Sequence, residues 1–262
     1  MARKTAPQAS FDDQLVLFRY FLHELKIDSL GALSVKLNSA EYEGFNESGG
    51  TYFCDYIARI SKMKGAAITP EKLRLYDANI CRHTRQVGEK RGGLRWKYFQ
   101  YVALLFTEIY LDRYFTDAEG FCADLNNWLS TKRTESFGLI DFQPYTVDKL
   151  NKLAFMCATG SGKTLIMHMN ILQFLHYFKR AKRMNSKLSI NKVIVLAPNE
   201  GMSNQHLEEL ALSSIPAAMF QKDRGFTTRR DDVIVIDMNK LKEEGKIKTV
   251  SVDSFEQNNL VL

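Results

Sequence analysis

The chain has 262 residues, enough, at roughly 150 residues per domain, for one large domain or two modest ones. Hydrophobic residues at 45% and charged ones at 25% match ordinary globular proteins and exclude disordered, collagen-like and disulfide-scaffold classes. The 36 Lys and Arg against 30 Asp and Glu leave a net charge of +6, unevenly spread: successive blocks of fifty residues from 1 to 200 carry −2, +7, −4 and +7.

Basic blocks of this kind either bind polyphosphate backbones through counterion release or simply solvate a surface. The tight run Lys179, Arg180, Lys182, Arg183, Lys187 falls where cations favour a helix C-terminus in any case. The longest uncharged apolar stretch, 98–107, is about half the ~20 residues a membrane-spanning helix needs. No apolar run follows the N-terminus to serve as a secretory signal. The expectation is a cytoplasmic protein with no membrane association. Cys54, Cys81, Cys122 and Cys157 lack the paired spacing of a zinc or redox motif, and His168 and His176 have no acid or thiol at ligand spacing. Free buried thiols and no structural metal are expected.

In chain order, Phe11, Leu15, Phe18 and Leu22 recur at helical spacing with Asp12, Asp13 and Glu24 between them, which predicts an amphipathic helix over 11–25. Thr69-Pro70-Glu71 reads as an N-cap with proline at the first helical position, starting a helix over 70–87 that Gly92-Gly93 terminates. Residues 94–115 hold Trp96, Tyr98, Phe99, Tyr101, Phe106, Tyr110, Tyr114 and Phe115 interleaved with Val102, Leu104, Leu105, Ile109 and Leu111. Beside Arg91, Arg95 and Lys97 such rings could stack bases. The aliphatic interleaving favours a central buried helix instead. A short helix over 117–129 and a polar linker over 130–137 follow. A domain boundary is placed at 138, between a helical domain 1–138 and a second domain 139–262.

Beyond it the pattern becomes strand, loop, helix, strand. Apolar runs at 153–157, 193–196, 232–237 and 248–252 predict four strands separated by helical segments. That alternation indicates an α/β domain with a parallel sheet covered on both faces.

Between the first run and its helix lies Cys157-Ala158-Thr159-Gly160-Ser161-Gly162-Lys163-Thr164. A phosphate chain needs inward backbone N–H groups with no Cβ in the way, and it gains from the positive end of the following helix. The pattern G-x-x-x-x-G-K-[ST] assigns Thr159, Gly160, Ser161, Gly162, Lys163 and Thr164 to ATP. Lys163 takes the β- and γ-phosphates as the catalytic cation, and the Thr164 hydroxyl serves as the metal ligand to Mg²⁺. Cys157 stands where the general pattern has its first glycine.

With these residues the chain resembles superfamily 2 helicases and translocases of the DEAD/DEAH type, and more narrowly the restriction-enzyme branch that includes the Res subunit of type III systems. The loop 158–164 is one carrier of the likeness. Val195-Leu196-Ala197-Pro198-Asn199 followed by Gln205-His206-Leu207-Glu208-Glu209 is similar to motif Ia. The resemblance implies nucleic-acid contacts at Pro198, Asn199 and Gln205. Phe142-Gln143-Pro144-Tyr145 is similar to the family's adenine-reading cluster and implies ATP contact at Gln143, although here the glutamine precedes the proline. The implied fold is a helical N-terminal domain followed by a partial RecA-like P-loop lobe.

The implied activity is that of a nucleic-acid-dependent ATPase motor, a helicase or DNA translocase serving restriction or phage defence. ATP and Mg²⁺ are its cofactors, DNA its track with RNA not excluded, and a methyltransferase or nuclease its partner. Such a motor needs an acidic Asp-Glu motif, and no Asp-Glu dipeptide occurs here. The apolar run at 260–262 is of the kind that leads into that motif. The expectation is therefore an N-terminal fragment cut before the acidic motif, with weak or no ATP binding and negligible turnover by itself. Two other classes stay open: a non-catalytic, nucleotide-responsive binding module or truncated gene product, and a small-molecule phosphotransferase, which motif Ia and the basic blocks disfavour.

Overall fold

Nine consecutive buried residues, 104–112, lie at the centre of the helical half of the protein, Thr107, Glu108 and Asp112 among them. The computed structural model describes residues 14–135, 142–220, 233–241 and 260–262. Its contacts divide the chain into two compact units, one of residues 1–81 with 96–161, the other of 82–95 with 162–262.

The first unit is helical: α1 (Val16–Glu24), α2 (Leu30–Leu37), α3 (Tyr52–Met63), most of α4 (Pro70–Gly88) and α5 (Tyr98–Glu135). Local chemistry sets their ends. Thr69 Oγ1 accepts from the Lys72 backbone N–H at 3.3 Å ahead of Pro70, which needs no partner at the first helical position. Positive φ at Gly92 and Gly93, +72° and +101°, carries the chain out of the single 3₁₀ turn after α4.

Two expectations change. The long helix does not stop for a linker at 130–137 but continues to Glu135, held in part by Lys132 with Glu135 at 2.6 Å. Lys132, Arg133 and Glu135 are good helix formers, and the Thr131 and Thr134 hydroxyls donate back to Asn127 O and Ser130 O at 3.1 Å each, so polarity there marks a solvated helix face and not a loop. The break expected before 117 is present as a kink within α5, where Asp117 has φ −157° and ψ 82° and accepts from the Gly120 N–H at 2.9 Å, capping the second segment.

The aromatic residues of α5 are core, as the interleaving implied: Tyr101, Phe106 and Tyr110 are buried. Phe21 lies 5.4 Å from Phe106 and 6.2 Å from Phe121, and Tyr20 meets Trp128 edge-on at 5.7 Å, which binds α1 to α5.

The second unit contains a parallel sheet in the order β2 (Ala217–Met219), β3 (Val233–Asp237), β1 (Val193–Ala197), β4 (Leu260–Val261). Val193 pairs with Val233 and with Leu260, so the strands run in step. Val193, Val195, Val233 and Val235 of one face pack with Ile171 of α6 (Lys163–Met184) and Leu210 of α7 (Glu200–Leu212). Ile194, Ile234 and Ile236 point the other way and are equally buried, as a sheet buried on both faces requires.

The run 153–157 is not a strand. It is irregular, and Leu153, Phe155 and Met156 are exposed. No sheet edge among the described residues accepts its backbone, and an apolar run becomes a strand only where such an edge exists. The strand expected at 248–252 lies outside the described residues, as do residues 136 and 137 of the expected linker and the start of the first helix. The expected terminal apolar strand forms, with Leu262 N–H donating to Ile194 O at 2.8 Å.

Candidate functional site

The phosphate-loop residues form a turn that only glycine accommodates easily. Gly160 has φ +76° and Gly162 φ +84°, both left-handed, and between them the Ser161 N–H donates to Ala158 O at 3.2 Å. A Cβ built on Gly160 would meet nothing within 4 Å, so backbone conformation and not crowding requires glycine there. α6 begins directly after, at Lys163, with Gly162 as its N-cap and no acidic residue in the first turn. The helix end therefore presents its dipole and first N–H groups with no competing carboxylate.

Thr159, Gly160 and Lys163 are exposed, while Ser161, Gly162 and Thr164 are half-buried. Ser161 Oγ is a buried hydroxyl with no hydrogen-bond partner. Orphaned buried donors are rare, and this one stands in a loop whose two glycines leave backbone open, which fits a bound polyphosphate. Lys163 and Thr164 are the first two residues of α6, the one exposed and the other half-buried.

The loop's backbone is also held from a position that motif reading missed. Gln100, at the start of α5, accepts the Lys97 N–H at 2.8 Å through Oε1 and donates through Nε2 to Ser161 O at 2.8 Å. The first of these bonds is the helix-capping half of a capping box, which a sequence can suggest. The second joins residues 61 apart and leaves no local signal.

Gln143 is exposed in the irregular segment 142–146, and no described contact brings it to the loop. That segment is fixed at its far end, where Asn126 clamps Tyr145 by donating to its carbonyl at 2.9 Å and accepting its N–H at 2.8 Å.

Pro198 and Asn199 follow the carboxyl end of β1, the side on which open parallel sheets bind ligands. Asn199 caps α7, its side chain accepting from the Met202 N–H at 2.9 Å. Pro198, Asn199 and Gln205 are all exposed. Two further residues join them there: Asn239 Nδ2 donates to Pro198 O at 3.2 Å and to Asp237 Oδ1 at 3.0 Å, at the end of β3. The Asp-x-Asn spacing after an apolar run is an Asx-turn signal that the sequence carries.

Of the cysteines, Cys54, Cys81 and Cys122 are buried, Cys157 is half-buried, and none is in a disulfide. Among the described residues no His, Cys, Asp and Glu cluster could hold a metal ion, and no helix is long and apolar enough to cross a membrane.

A parallel sheet packed against α6 and α7, with a glycine-containing loop opening α6, forms a partial RecA-like α/β domain, and the other unit is helical. Residues 123–260, more than half of the chain, match the family described as type III restriction enzyme, res subunit, and the chain belongs to that family. This is a family of helicase-like ATPases of restriction enzymes, which generally use ATP and Mg²⁺. No curated protein and no solved structure matches the chain significantly.

Proposed function

We propose that the chain is the ATP-binding portion of a DNA-dependent motor serving restriction or phage defence in the cytoplasm, acting with a methyltransferase or nuclease partner. In this reading residues 1–138 form the helical domain and 139–262 the first motor lobe. The family match starting at 123 and the division between units at 161 lie on either side of that boundary. The observation that carries the reading is the pair of left-handed glycines, Gly160 and Gly162, set immediately before Lys163 and the start of α6 in a member of this family.

ATP, when bound, supplies the energy of its terminal phosphoanhydride bond. Thr159, Gly160, Ser161 and Gly162 wrap the phosphates with backbone N–H groups, and Ser161 Oγ gains the acceptor it lacks in the protein alone. Lys163 neutralises phosphate charge, Thr164 ligates Mg²⁺, and Gln143 reads the base. Pro198, Asn199 and Gln205 contact the backbone of the tracked strand.

The test is MgATP binding by calorimetry into the millimolar range, with Lys163→Ala for comparison. Loss of a charge-assisted bond to phosphate costs roughly ten- to hundredfold in binding, whereas an exposed lysine contributes within about 0.5 kcal/mol to stability. Equal binding by an equally stable variant would refute the loop assignment. Salt-sensitive binding of duplex DNA distinguishes the motor from a small-molecule phosphotransferase.

A further inference from the structure

The carboxyl end of α7 is held by three side chains from 82–95, a segment that belongs to the second unit together with α7 itself. Gln86 Nε2 donates to Ser214 O at 3.3 Å, Lys90 Nζ to Ala211 O at 2.9 Å and Arg91 Nη2 to Glu209 O at 3.0 Å. Glu209 O and Ala211 O also accept the Ser213 and Ser214 N–H groups at 3.1 and 3.2 Å, so the three side chains add second bonds around the closing turn, where the helix dipole favours cations.

Arg91 does more than cap. The same Nη2 donates to Glu209 Oε2 at 2.7 Å and to Ser213 Oγ at 3.2 Å. Ser213 Oγ meets His168 Nδ1 at 2.8 Å, and both residues are fully buried. Burial, with Arg91 nearby, lowers the His168 pKa to about 4, so the ring is neutral and able to accept the serine proton. His168 lies in α6, five residues after Lys163. A continuous polar chain thus runs from Arg91 through the end of α7 to the helix that the phosphate loop opens. α7 has 13 residues, a rigid rod of about 20 Å, so fixing its carboxyl end fixes the direction of the whole helix, with Asn199 at its amino end and Gln205 near its middle.

We propose that Arg91 is a positioning residue for the strand-contacting segment: acting through Ser213 and His168, it holds α7 to the phosphate-loop helix, so DNA binding depends on a side chain that touches no DNA. The inference rests on the reading of Pro198, Asn199 and Gln205 given above.

A labelled DNA duplex titrated with the full chain at several salt concentrations, followed by fluorescence anisotropy, tests it in wild type, Arg91→Ala and Arg91→Lys. Thermal unfolding accompanies each titration. The expected result is binding about two- to thirtyfold weaker in Arg91→Ala, with the slope of log affinity against log salt unchanged and affinity restored by Arg91→Lys. A slope reduced by about 0.9 would make Arg91 a direct phosphate contact and overturn the proposal. Unchanged affinity in Arg91→Ala, while wild type binds, would overturn it too. If Arg91→Ala does not fold, Ser213→Ala takes its place: weaker binding with an unchanged slope supports the proposal, and unchanged binding overturns it. Wild-type protein that shows no salt-dependent DNA binding would refute the functional reading itself, a result distinct from either.

Discussion

Asp77 shows how much organisation one buried carboxylate can carry. It is 3% exposed and accepts the Thr51 N–H at 2.8 Å, the Thr51 hydroxyl at 2.6 Å and the Tyr101 hydroxyl at 2.8 Å. Thr51 is at the same time the N-cap of α3, accepting from the Cys54 N–H at 3.0 Å. The start of α3, the middle of α4 and the start of α5 therefore meet on one side chain, and burial raises its pKa despite the donors. Asp77→Ala strands these donors without water, and at about 1–3 kcal/mol for each unsatisfied group the first unit should lose about 3 kcal/mol or more. Asp77→Asn keeps an oxygen for the Thr51 N–H and turns its amide toward hydroxyls that can accept, so its cost should be nearer 1 kcal/mol. Urea unfolding followed by tryptophan fluorescence measures both, because Trp96 and Trp128 lie in the first unit. An alanine variant as stable as wild type would mean that the network contributes nothing.

Helix ends are the element-scale counterpart, and three of them share one geometry. After α3, Gly65 has φ +63° and the Ala66 N–H donates to Ser61 O at 2.8 Å. After α1 the left-handed position is Lys26 at φ +54°, with Ile27 N–H to Leu22 O at 2.9 Å, and after α7 it is Ser214 at φ +55°, with Ile215 N–H to Leu210 O at 3.0 Å. All three are Schellman closures, but a residue with a Cβ is strained at this position by about 1–2 kcal/mol. Ser214→Gly should relieve that strain and give back part of it as unfolded-chain entropy, leaving a net gain of about 0.5 kcal/mol in the second unit. A rise in its unfolding temperature checks this, and a fall would show that the serine side chain outweighs the strain. The same comparison shows why some ends were legible in sequence. Gly65 and Gly92-Gly93 announce a left-handed residue, whereas Lys26 and Ser214 adopt one because buried Leu22 with Ile27, and Leu210 with Ile215, close the turn. In the same way 193–196 and 232–237 were readable as strands from β-branched residues alone. The run 153–157 has similar composition and no ladder, because pairing is a property of the neighbour and not of the run. The loop 159–164 was legible because its chemistry is contiguous. Gln100, Asn239 and Arg91 were not, since contacts across 61, 41 and 118 residues bring them to their places.

At the scale of the whole molecule the two units differ in how they bind protons, and this gives each its own response to acid. The second unit holds His83 and His168, both buried, their pKa values lowered by burial and then by neighbouring arginines to about 3 and about 4. In the unfolded chain each titrates near 6.5, so below that pH the unfolded state binds more protons and stability falls as pH falls. The loss begins near pH 6.5 and is complete for His168 at about 4 and for His83 at about 3, on the order of 3 kcal/mol for the first and 5 kcal/mol for the second. In the first unit Asp77 and Glu24 have raised values, with burial the main cause. Their sign is opposite: the folded state takes up protons before the unfolded state does, so acidification toward the ordinary carboxylate range relieves their burial. Its lowered histidine, His23, is half-exposed and weakens this contrast only slightly. On titration from pH 7 to 4 the second unit should therefore unfold first. Far-UV circular dichroism reports helix and strand in both units, whereas tryptophan fluorescence reports the first alone, because both tryptophans lie there. The expected result is loss of ellipticity ahead of any change in fluorescence, with the gap narrowed by His168→Asn, which cannot titrate. Coincident transitions in wild-type protein would show that the buried histidines do not set the acid stability of the second unit.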